Sequence, residues 1–289
     1  MIKRIFFIFI LLISSFSFSQ LSKEHYIPPI SSGPSNADPI EQYIYISTPS
    51  TGDVNFTINT IGAASVSGVV SNATPYVHTI TTEGYSSFVQ DPATTSRVTS
   101  DRGFIINADS PVYVSVRLNA GGYAQAGALV SKGENALGTT FRIGTYDNQG
   151  SPGANYLNFF SFMATEDNTT VNLTNERVTS GLQIQNAGAQ QFPINNISLN
   201  RGQTYVIAVR PQDTDPNRNG LIGTLVSSDK PIVVNAGSAN GSFGNGGARD
   251  YGIDQIVELS KVGKEYVFVK GDGDNSFENV LVVAHEDNT

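Results

Sequence analysis

Residues 155–169 (NYLNFFSFMATEDNT) align without a gap on residues 275–289 (NSFENVLVVAHEDNT), 120 positions further along the chain. Upstream, 109–114 (DSPVYV) falls on 229–234 (DKPIVV) at the same offset. Short strand-like segments ended by Gly84 and Gly202 give a third anchor at 118, and 138–143 (GTTFRI) falls on 263–268 (GKEYVF) at 125. A partial earlier copy sets 43–58 over 160–174, with Val54-Asn55-Phe56-Thr57 on Val171-Asn172-Leu173-Thr174. Near-copies at this period bury their faces against one another, which confines the chain to an array of like units. The sequence reads as starting partway through one unit and stopping at the opening turn of another, with further domains of the same polypeptide expected beyond residue 289.

Each unit is built of strands. Runs such as YIYI (43–46), NFFSFM (158–163), YVIAV (205–209) and VLVVA (280–284) are β-branched or aromatic and end at Gly, Asn, Asp or Pro. No window sustains a 3.6-residue period, so the fold expected is all-β, in tandem antiparallel units of about 120 residues. Several strands are apolar at consecutive positions, which means cover on both faces. That pattern and the out-of-phase start favour a β-propeller-like ring, each unit supplying about two four-stranded blades. The alternative is a string of tandem β-sandwiches, whose strands should alternate.

The first 19 residues stand apart. Lys3 and Arg4 precede an apolar run over 5–13, and Ser17 and Ser19 occupy the small-residue positions before a cut at Gln20. This is the pattern of a secretory signal peptide, too short to span a bilayer. The mature domain is then 20–289, secreted or at the cell surface, with no transmembrane segment. Loss of Lys3 and Arg4 leaves 15 basic against 25 acidic residues. Such a balance disfavours nucleic acid and anionic membranes. With no Cys, the domain has no disulfides to stabilise it.

Few residues suggest chemistry. His25, His78 and His285 are isolated and read as surface or turn histidines. No G-x-S-x-G is present, and the glycine-rich run 237–247 reads as loop. Asp213, Asp215, Asn217, Asn219 and Gly220 contain the D-x-N-x-N-G oxygen spacing of calcium loops. Against that, Val226 occupies the twelfth position from Asp215, and Pro216 constrains the loop, so an ordinary Asx turn is the default. Asp272, Asp274, Asn275 and Glu278 form a weaker second candidate. The 12 Tyr and 16 Phe lie mostly inside strand runs, where core packing is their expected role. No cofactor other than Ca²⁺ is suggested.

The pattern HYIPPI (25–30), QYIYISTP (42–49), GENALGTTFR (133–142) and MATEDNT (163–169), continued by RDYGIDQ (249–255) and YVFVK (266–270), resembles large exported surface proteins of Bacteroidota. These often carry a gliding-motility-associated, type 9 secretion sorting domain. The same segment is similar to the N-terminal domain of the mammalian IgG-Fc-binding mucus protein. The resemblance implies a non-enzymatic, adhesin-like module that binds an extracellular glycan or protein, with no motif that transfers antibody binding. A secreted polysaccharide hydrolase and a structural spacer are the alternatives.

Overall fold

A computed structural model describes residues 20–33, 40–82, 84–119, 126–145, 157–178, 181–209, 217, 219–241, 250–271 and 280–289. Residues 1–19, read above as a signal peptide, lie outside them. Among the described residues the regular structure is strand, broken only by three short 3₁₀ turns. No helix there is long and apolar enough to cross a membrane.

The first unit holds β1 (Ser22–Ile27), β2 (Ile30–Ser31), β3 (Glu41–Ser47), β4 (Val54–Thr60), β5 (Val66–Val70), β6 (Tyr76–Thr81), β7 (Val89–Gln90), β8 (Val98–Thr99), β9 (Phe104–Asn119) and β10 (Gly127–Val130). The second holds β11 (Gly138–Arg142), β12 (Asn158–Ala164), β13 (Thr169–Thr174), β14 (Leu182–Ile184), β15 (Gly188–Gln190), β16 (Ile194–Leu199), β17 (Thr204–Val209), β18 (Leu225–Gly241) and β19 (Asp250–Ile256).

A long strand is the axis of each unit. The first half of β9 pairs with β1 and β4, and β5 extends that sheet from β4; its second half pairs with β3 and β10, and β6 extends from β3. β18 does the same with β11, β13 and β16, then with β12, β19 and β17. Both long strands turn the corner at an Asp-x-Pro step. Proline there removes a ladder donor, so pairing can change sides. The corner is fastened alike in both units. Thr48 Oγ1 donates to Pro111 O (3.1 Å) and Thr165 Oγ1 to Pro231 O (2.6 Å). Asp109 accepts from Asn55 Nδ2, and Asp229 from the Thr170 amide, both at 2.7 Å.

The two halves of each long strand close over one core. Ile44, Ile46, Phe56, Ile58, Ile106 and Val114 share the first; Phe141, Phe160, Phe162, Leu173, Val226 and Val234 share the second. Each unit is therefore a curled sandwich with a shared corner strand, not a pair of blades in a ring, which corrects the propeller expectation. Consecutive apolar positions were the misleading signal. β12 is buried along its whole length because one face packs in its own core and the other against the first unit.

Register also corrects the alignment. The pairs Ser22–Val112 and Glu24–Asn107 in the first unit correspond to Gly138–Ile232 and Thr140–Ser227 in the second, bulge included. Phe56 faces Ala108 and Val171 faces Ser228, so Phe56, not Val54, is the counterpart of Val171. The Gly84/Gly202 anchor does not hold: β6 extends from β3, whereas β16 extends from β13 in the other half. A short Thr/Ile strand stopped by glycine is too generic to report its partner. Residues 237–241, read as loop, complete β18 instead.

The opening turn recurs as the sequence indicates. Thr169 Oγ1 donates to Glu166 O and Thr289 Oγ1 to Glu286 O, both at 2.8 Å, and Asn168 and Asn288 both take positive φ.

Candidate binding face

The sheet formed by β10, the second half of β9, β3 and β6 has one face on the first core and the other in solvent. Strict alternation produces this: Ile44, Ile46, Val114 and Val116 point in, and Tyr43, Tyr45, Tyr113 and Arg117 point out. Cross-strand pairing then orders the outer face in rows. Val77, Tyr45, Ser115 and Val130 form one, with Thr79, Tyr43, Arg117 and Ala128 beside it; Tyr113 lies across from Ser47. Tyr45 is 40% exposed, Val77 47% and Tyr113 37%. The Tyr43 and Tyr45 rings meet edge to face at 6.3 Å. The Tyr43 phenol is pushed above its ordinary pKa by desolvation, then by the Glu41 carboxylate. It therefore stays a neutral hydrogen-bond donor.

The equivalent face of the second unit is sealed. By register Ser161 replaces Tyr45, Asn235 replaces Ser115, Gln255 replaces Val130, and Phe159 and Val233 replace Tyr43 and Tyr113. All five are fully buried. What covers them is a strap of the first unit, residues 26–31, continuing from β1 through Pro28 and Pro29 into β2. Gln255 Nε2 donates to Tyr26 O (3.0 Å), Asn235 Nδ2 to Pro28 O (2.8 Å) and Ser161 Oγ to Pro29 O (2.5 Å).

The histidines are not all at the surface. His25 is fully buried, with Nε2 against Val112 O (3.0 Å) and Ser22 O (3.2 Å) and Nδ1 against Ser131 Oγ (2.9 Å). Two carbonyls at Nε2 require a proton there, and burial lowers the pKa of the ring. Burial lowers that of His78 as well. Only His285, beside Arg142 Nη2 at 2.8 Å, is exposed as expected.

Of the calcium candidates, Asp213, Asp215, Asp272, Asp274, Asn275 and Glu278 lie outside the described residues. Asn217 is buried, its Oδ1 accepting from the Gln183 amide at 2.7 Å, while Asn219 accepts from the Ile222 amide through its main-chain oxygen. No group of three His, Asp or Glu that could hold a metal occurs among the described residues. A cleft of about 530 Å³ separates the second unit from residues 282–287, with Arg142, Arg177 and His285 on its walls. The three outward tyrosines escaped the sequence reading, which assigned strand aromatics to the core. The alternation of QYIYIS was the available signal.

A family described as IgGFc binding protein matches residues 126–289, more than half of the chain. No curated protein and no solved structure matches. The matched stretch takes in β10, the whole second unit and the segment after it.

Proposed function

Given that the chain belongs to the IgGFc binding protein family, we propose that it is an extracellular, non-enzymatic binding module whose ligand is a protein. The observation that carries this reading is the outer face of the first unit. Tyr and Arg are the residues that dominate binding energy at protein interfaces, because each offers a large, fairly rigid contact area with a polar end. Here Tyr43, Tyr45, Tyr113 and Arg117 stand on a stiff sheet, so little ordering is needed on binding. Export by the leader at residues 1–19 fits an extracellular ligand. A role in surface adhesion or gliding, in a larger type 9-secreted polypeptide, extends the same reading.

The test is a surface-binding screen of the 20–289 chain against IgG Fc fragment, purified matrix proteins and a glycan panel, with and without calcium. A protein ligand should be retained, and Tyr45→Ala with Arg117→Ala should weaken it at least about tenfold, a loss of about 1.4 kcal/mol. Retention of glycans alone, or indifference to both substitutions, overturns the assignment. Absence of any ligand would leave the interlocked units as a spacer. A calcium-dependent rise in melting midpoint that is lost in Asp213→Ala with Asp215→Ala would support an ion in the 213–219 loop, and no shift would remove that proposal.

A further inference from the structure

A peptide crossing the face of a sheet, not its edge, cannot join the ladder. Its amide N–H groups then lose water without gaining partners, at about 1–3 kcal/mol each. The chain itself shows how this is avoided. In the strap of 26–31, Tyr26 and Ile27 pair with β9 and Ile30 and Ser31 with β7. Between these paired ends Pro28 and Pro29 have no N–H to satisfy, while their carbonyls accept from Asn235 and Ser161. Adjacent prolines also hold the segment extended at no further entropic cost. Ile27 and Ile30 then pack with Phe159 in one apolar cluster.

The first unit's outer face is the register equivalent of that binding surface; it keeps polar groups at two of the three donor positions and has Val130 in place of Gln255 at the third. Tyr45 and Ser115 hydroxyls occupy the positions of Ser161 and Asn235, and Arg117 adds a donor-only guanidinium. Val77 and Val130 supply apolar contact at the two ends of the row. Aromatic side chains are the usual dock for Pro-rich segments, whose preformed extended helix loses little entropy on binding, and a tyrosine hydroxyl can in addition donate to a carbonyl.

We propose that this face binds an extended segment of a partner protein containing adjacent prolines, laid across β6, β3, β9 and β10 as the strap lies across the second unit. The assignment rests on the protein-binding reading above and names the ligand class for the same site. The partner supplies the Pro-Pro step because the chain's own strap is already buried in its seam.

The experiment uses the 20–289 chain and a synthetic peptide of residues 24–32 (EHYIPPISS), capped at both ends, alongside the version with both prolines replaced by alanine. Binding is followed by calorimetry and by amide chemical shifts. The Pro-Pro peptide should bind, with shifts confined to residues on β3, β6, β9 and β10, and the alanine peptide at least about tenfold more weakly. Tyr45→Ser together with Tyr113→Ser should abolish peptide binding while the urea midpoint stays unchanged. Equal binding of both peptides, survival of binding in the double variant, shifts centred on the second unit, or no binding up to millimolar peptide each overturns the proposal. If the same double variant loses the folded ligand found in the screen while no peptide binds, the face is a protein site of another kind. If it keeps the folded ligand, the broader reading fails too.

Discussion

The same four-stranded sheet occurs in both units, wet on its outer face in the first and sealed in the second. In β3 every second residue is polar or tyrosine; in β12 Phe159, Ser161 and Met163 occupy those positions and are fully buried. Backbone register is common to both, so the difference lies in the outward side chains and in the strap of 26–31 that covers the second face. The first unit presents a soluble face and the second a face sealed by its neighbour. A repeat array thus offers an uncovered unit a ready-made surface, already shaped to receive a chain segment, at which binding residues can replace packing ones.

The largest effect should come from emptying the sealed face. Phe159→Ala is expected to destabilise the chain by about 3–5 kcal/mol in urea unfolding, against less than about 1 kcal/mol for Tyr45→Ala. Equal losses at the two positions would break the comparison. Glycine before the long strand sharpens it further. Gly103 and Gly223 are register equivalents with φ of +95° and +82°. A Cβ on Gly103 would lie 2.8 Å from Ile27 O and 2.4 Å from Met163 Cε, in the seam, whereas on Gly223 the nearest atom is Arg177 Cδ at 3.7 Å. Gly103→Ala should therefore cost about 2–5 kcal/mol and Gly223→Ala about 1–2, the latter from backbone strain alone.

Removing the strap's partners comes next. Asn235→Ala leaves the Pro28 carbonyl and a face of Gln255 unpaired in the seam, at about 1–3 kcal/mol. Ser115→Ala, its counterpart in the open face, should stay within about 0.5 kcal/mol in thermal unfolding.

The smallest effect is one of pH. His25 and His78 have folded pKa values lowered by burial, and their counterparts in the second unit are Phe141 and Ile207. A lowered base binds fewer protons folded than unfolded, so its stabilising effect is complete above the ordinary histidine pKa and lost as pH falls below it. Glu24, whose charge raises the His25 value, moderates the change without reversing it. Stability should thus decline on acidification from just under about pH 6.5, and His25→Phe should flatten that slope. A slope unaffected by the substitution would show that the pH response does not come from His25.

Much of this architecture was legible in residues. The Asp-x-Pro corner, the Glu-Asp-Asn-Thr turn and the strand character of each run follow from local chemistry that acts wherever those residues occur. NFFSFM announced a strand covered twice, whereas the alternation of QYIYIS, a half-wet signal, is passed over when strand aromatics are assigned to the core. The site was harder to read, because a tyrosine on a strand looks alike from sequence whether its face is packed or free. His25 shows the same limit: nothing within a few residues of it reveals that Ser131 and the Val112 carbonyl, about a hundred positions away, will enclose it.

Period and strand class were determined by the sequence alone, since alternation and turn chemistry are short-range properties of the backbone. Tertiary structure decided which strands became neighbours, that β6 and β16 flank different halves, and that a proline strap instead of a ring of blades seals the second unit. Those outcomes depend on contacts between segments far apart in the chain, whose relative energies no local pattern encodes.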